Sequence, residues 1–164
     1  MHEPVGPAWL VAIEKSGLAQ TMRESLWMYP IVEIVHIVGF VILVGTVLSF
    51  DLRLLGLSRK MEIKSLARHL LPWSVGSIAL VVPAGLFMFS AHATEFARNP
   101  AFLLKLSLIA LAAINAAAFH LGPYRSVAFW NRNIATPIQA KVFASISLAL
   151  WLAIIGCGRL LAYV

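Results

Sequence analysis

The sequence predicts an all-α integral membrane protein: an up-and-down four-helix bundle preceded by an amphipathic N-terminal helical segment lying in the membrane interface. Three observations predict it. Of 164 residues, 60% are hydrophobic and only 12% charged, against about 25% charged in a soluble domain; the mean hydropathy is +0.86. The apolar residues fall in four blocks, each long enough to cross a bilayer, which takes about 20 residues. Two of the three connections between blocks are short to moderate, which favours antiparallel neighbours.

Taken in order, the opening MHEPVGPAW has no basic run, which argues against a cleaved signal peptide. Residues 7–28 are amphipathic rather than spanning. Trp9, Leu10 and Ile13 form one apolar stripe, and Leu18, Met22 and Leu26 form another, broken at Gly17. With Trp9, Trp27 and Tyr29 nearby, this reads as one or two short helices at the interface. The spans are expected at residues 29–50, 70–91, 101–121 and 142–161, joined by 51–69, 92–100 and 122–141, all within a single domain, 1–164. Pro83, followed by Gly85, is expected to kink the second span.

The net charge of +6 points to membrane topology rather than nucleic acid. Arg53, Arg59, Lys60, Lys64 and Arg68 follow the first span, and Arg125, Arg132 and Lys141 lie between the last two. Lys15, Arg23, Arg98, Lys105 and Arg159 fall at the other end, a balance of eight against five. The positive-inside rule then puts the first and third connections in the cytoplasm and both termini on the periplasmic side of a bacterial inner membrane. The single cysteine, Cys157, rules out an internal disulfide and a cysteine-based zinc cluster. No nucleophile–base pair or phosphate-binding glycine loop is visible.

Ionisable residues inside spans single out the candidate site. Glu33 and His36 sit one helical turn apart, about 8–10 Å below the outer face for the histidine. His92 ends the second span on that same side, with Glu95 three residues on. His69 and His120 lie on the cytoplasmic side, which makes an outer and an inner pair of histidines; His2 carries no argument. Two chemistries suit these residues. Histidines on neighbouring helices hold haem b in small cytochromes. Here His36 would pair with His92, or His69 with His120; Gly39 or Ala116 and Ala117 would leave room for the macrocycle, and Arg98 and Lys105, or Arg68 and Arg125, would meet the propionates. His69 and His92, about 35 Å apart on one helix, make one haem easier to build than two. Alternatively, Glu33, His36, His92 and Glu95 would ligate copper or another divalent metal. Plain structural roles stand beside both: Asn115 as an interhelical hydrogen-bond donor, Asp51 and Arg53 as anchors of a span end, and Lys105 snorkelling outward.

The stretches SLWMYPIVEIVHIVGFVILVGTVLSFDLRLLG, HLLPWS and NPAFLLKLSLIALAAINAAAFH resemble an uncharacterised family of small bacterial four-helix inner-membrane proteins. The likeness covers most of the chain. It rests on the H-x-x-G start of the first span, Asp51-Leu-Arg53 at its end, Asn99-Pro-Ala-Phe, Lys105 and the Asn115…His120 pair. A looser likeness extends to the copper-resistance D domain and to membrane proteins of the HemJ type. The close resemblance implies a fold; the looser one implies haem, porphyrin or copper, by analogy. The expectation is a b-type haem protein passing electrons within the membrane. Copper or divalent-metal binding is the alternative, and a non-catalytic subunit of a larger complex is the third reading. Its partners would be lipid, a redox partner or larger complex, or further copies of itself.

Overall fold

The computed structural model describes residues 5–161 and 163, so His2 lies outside it. Among the described residues all regular structure is helical: α1 (Ala8–Glu14), α2 (Gly17–Glu24), α3 (Met28–Leu55), α4 (Ile63–Ala91), the single turn α5 (Ala93–Phe96), α6 (Pro100–Leu121) and α7 (Ile138–Leu160), with a 3-10 helix at Pro123–Phe129. Helices α3, α4, α6 and α7 are each long and apolar enough to cross a membrane. They carry large apolar side chains into the open, such as Ile34 at 60% and Ile114 at 64% exposure.

The ends of these helices follow from local sequence. The α3 helix runs through Asp51 and Arg53 to Leu55, past the span end expected at Phe50. It stops where Gly56 turns left-handed at φ 117°, with Leu57 N–H donating to Leu52 C=O and Gly56 N–H to Arg53 C=O. That pair of bonds is the Schellman stop, and glycine adopts the required backbone without strain. At the start of α6, Asn99 Oδ1 accepts from the N–H groups of Ala101 (2.9 Å) and Phe102 (3.2 Å). Pro100 takes the first helical position, where no N–H is needed. The α4 helix begins seven residues before the expected span and continues through Pro72 and Pro83 as one helix. Its first turn is capped from a distant segment: Asn131 accepts from Ile63 N–H through its C=O and from Lys64 N–H through Oδ1.

Packing of the long helices follows the order α4–α3–α7–α6, and consecutive helices α4 and α6 share no extended seam. The expected ring of sequence neighbours is therefore open on one side. The first and third connections meet at one end, as the up-and-down order of the helices requires. Asn133 N–H donates to Arg59 C=O, Arg132 Nε to Lys60 C=O, and Arg132 pairs with Glu62 at 3.8 Å. The third connection is no loose loop. Val127 and Trp130 are buried there with Leu54, Ile63 and Phe119 in the main apolar core.

At the other end the amphipathic segment forms two helices, α2 capped by Ser16, whose Oγ accepts from Ala19 N–H. Leu10, Ala19 and Met22 are buried against the end of α4 and α5, while Trp9, Leu26 and Trp27 remain exposed. Polar bonds fix the docking: Glu14 Oε2 accepts from Thr94 N–H and Oγ1–H, and Arg23 donates to Ala91 C=O. The two expected apolar stripes are thus split: Leu10 and Met22 pack against the bundle, and Trp9, Leu18 and Leu26 stay in the open.

Candidate functional site

A cavity of about 150 Å³ lies between the four long helices in the half nearest the basic connections. Helical spacing builds it. Val47, Asp51 and Leu54 recur at i, i+4 and i+7, so they share one face of α3. Ser147 and Ala144 supply the α7 wall, Asn115 and His120 the α6 wall, and Leu71 and Ser74 the α4 wall. The back of the cavity is sealed, since Asp51, Leu54, Ala144 and Ser147 are all buried. Leu71, Ala116 and His120 are exposed. The cavity therefore opens sideways, through the gap that α4 and α6 leave unpacked.

Asp51 is the chemical centre of this space. It is 5% exposed. Ser147 stands on the same side of the cavity, and among the described residues Oδ2 has no hydrogen-bond partner. A carboxyl in such surroundings is stable either as the acid or beside a cation. Asn115 donates through Nδ2 to Phe143 C=O at 3.1 Å across α6 and α7, the interhelical role expected of it. Its side-chain carbonyl keeps its acceptor capacity. His120 stands at the rim with its ring 5.0 Å from that of Tyr124.

Beneath the cavity, Arg53 is 2% exposed. Its guanidinium donates to the carbonyls of Met61 (2.8 Å), Arg59 (3.2 Å) and Asn131 (3.3 Å). The pair read as one anchor at a span end thus has two separate jobs. Asp51 faces the cavity, and Arg53 ties the first connection to the third. Reading Phe50 as the end of the span hid this, although the i, i+4, i+7 spacing was available to find Asp51.

The histidines are not brought together as expected. His36 Nδ1 is 2.9 Å from Val81 C=O; a carbonyl only accepts, so Nδ1 carries the hydrogen. The ring lies against Gly85, whose added Cβ would be 3.2 Å from His36 Cε1. His92 sits at the junction of α4 and α5, about two helical turns beyond Gly85. It pairs there with Glu95 at 3.7 Å. The two histidines thus make separate contacts, His36 with Val81 and Gly85 and His92 with Glu95. The gap at Gly39, read as space for a macrocycle, is filled by α4: an added Cβ would meet Val81 at 2.9 Å and Leu80 at 3.0 Å. His69 is exposed on the first turns of α4 and does not line the cavity that His120 borders. Of the four residues expected to ligate a metal, Glu33 is exposed and only His92 and Glu95 meet. Among the described residues no group of three His, Cys, Asp or Glu is placed to hold a metal. Lys105 reaches α7 near the end of that helix, its Nζ 4.0 Å from where a Cβ on Gly158 would lie. No family model, no curated protein and no solved structure matches the chain.

Proposed function

We propose that this is a multi-pass inner-membrane protein that binds a small ligand in the chamber around Asp51, and that the ligand arrives sideways from the bilayer between α4 and α6. The observation that carries the reading is a carboxyl buried within an apolar helix, aimed into a cavity, with Oδ2 unpartnered. Intramembrane ionisable residues mark ligand and ion pathways far more often than they serve packing. The lining is mostly apolar with a few convergent polar groups, as in small-molecule sites generally. Asp51, Asn115 and His120, which are among the residues that carry the resemblance to the uncharacterised four-helix family, line this chamber. Membership in that family belongs to the same proposal. The basic connections, interlocked at one end, would face the cytoplasm, leaving α1, α2 and the end of α7 outside.

A lipid-soluble carbodiimide tests the chamber directly. In membranes, dicyclohexylcarbodiimide is expected to add one equivalent at Asp51, located by peptide mass spectrometry, and a water-soluble carbodiimide is expected not to. Equal labelling by both reagents, or no labelling of Asp51 by either, would show that no chamber opens to lipid there.

One observation favours a second, redox reading. His36 holds its Nδ1–H on a backbone carbonyl, the orientation usual for a histidine that ligates metal through Nε2. His36 would then be a single protein ligand to haem b, with the partner ligand from outside the His92 position. Protein purified from haem-replete cells would show a b-type reduced-minus-oxidised band, lost in His36→Ala. A flat spectrum for the unaltered protein ends this reading and leaves the Asp51 chamber untouched.

A further inference from the structure

The residues around Asp51 also restrict what the chamber takes. Among the described residues the carboxyl is the only acidic group in the lining, and no lysine or arginine is part of it. The other polar groups can supply acceptors: Asn115 gives one amide N–H to Phe143 C=O and its side-chain oxygen can accept, Ser74 and Ser147 bring hydroxyl oxygens, and His120 brings a ring nitrogen at the rim. Thr46 donates its hydroxyl to Ile42 and Leu43 carbonyls, so its oxygen too has only acceptor capacity to offer. Three rings complete the walls: Phe50, Phe119 and Phe143, tilted by 73° and 57° across the two pairs that share Phe119.

A carboxylate, oxygen acceptors and aromatic walls together recognise an organic cation. A bare divalent metal is disfavoured: Asp51 and His120 are the carboxylate and the imidazole in the lining, and among the described residues no third His, Cys, Asp or Glu joins them. Size agrees, because a cavity of about 150 Å³ accommodates a molecule as large as benzene. We propose that the chamber binds a small organic ammonium, its N–H groups on Asp51 and the acceptors and its hydrocarbon tail leading out between α4 and α6. This rests on the reading of the Asp51 chamber as a ligand site and names the class of ligand.

The test uses the full-length protein in mild detergent at neutral pH, titrated with n-butylammonium chloride. n-Butanol serves as the neutral probe of similar shape, and sodium chloride controls for ionic strength. The ammonium is expected to raise the unfolding midpoint saturably, by about 3–6 °C at ten times its Kd, while butanol and sodium chloride do not. Asp51→Asn keeps the shape of the side chain and should weaken the ammonium effect at least tenfold. An equal response to butanol, no response to the ammonium, or undiminished binding by Asp51→Asn overturns the proposal. The comparison of probes on the unaltered protein decides the matter even if the variant does not fold. Carbodiimide labelling separates the two claims: a labelled Asp51 with no ammonium response removes the ligand class alone, and an unlabelled Asp51 removes the chamber.

Discussion

Replacing Arg53 with methionine is expected to lower the unfolding midpoint in detergent by roughly 6–12 °C, corresponding to about 3 kcal/mol in a chain of this length. The magnitude follows from what the side chain holds. Its guanidinium donates to three backbone carbonyls from two different connections, and it is almost wholly buried. Hydrogen bonds from a charged donor contribute about 1.5–3 kcal/mol each where water is excluded. The connections lie at the end of the bundle, so water can replace part of the loss. Methionine retains the apolar stem and most of the volume, which isolates the polar contribution from packing. Lysine should recover only a fraction, because one ammonium cannot present the planar fork that reaches several carbonyls at once. Limited proteolysis adds a local readout: new cuts should appear at residues 56–62 and 122–137 together, since Arg53 joins them. An Arg53→Met protein with an unchanged midpoint and unchanged cleavage would mean that the contacts of Asn131 and Arg132 alone hold this end.

The sequence made the helices legible because backbone polar groups in hydrocarbon have to be satisfied within the segment, and long apolar runs leave helix as the solution. The alternation of four spans also placed the first and third connections at one end, and the structure interlocks them there. Two physical effects hid the rest. Hydropathy reports where lipid contact ends, whereas hydrogen bonding and capping decide where a helix ends. The α3 helix therefore continues to Gly56, and Asp51 turns inward when a hydropathy reading would leave it at the surface. The rotation of one helix against another is likewise absent from a sequence. Depth suggested His36 with His92, but depth fixes only one coordinate; the azimuth set by the α3–α4 contact sends His36 to Val81. A glycine is ambiguous for the same reason. Space beside Gly39 was real, and the neighbouring helix occupies it.

That close contact makes a second large effect, and the chain contains its own control. Gly39→Ala is expected to destabilise the protein by about 1–3 kcal/mol, the range for forcing a methyl group into a packed interior. The new Cβ would lie 2.9 Å from Val81 Cγ2 and 3.0 Å from Leu80 Cβ. The first neighbour can rotate, but the second is fixed to the α4 backbone, so α3 and α4 must separate. Gly45→Ala, six residues along the same helix, meets nothing within 4 Å. It should be neutral or mildly stabilising, by up to about 1 kcal/mol, because alanine is the better helix former. The two substitutions are chemically identical, and the bilayer or detergent is the same for both. A difference in unfolding midpoint between them therefore reports the helix–helix contact and nothing about helix propensity. Separation of α3 and α4 should also loosen the His36 bond to Val81 C=O, three residues from the inserted methyl on the α3 side and against the very residue it strikes. Ring-nitrogen NMR of His36 would then show exchange between tautomers in Gly39→Ala and a single Nδ1–H form in Gly45→Ala. Matching midpoints and matching spectra would place the α3–α4 contact elsewhere on the two helices.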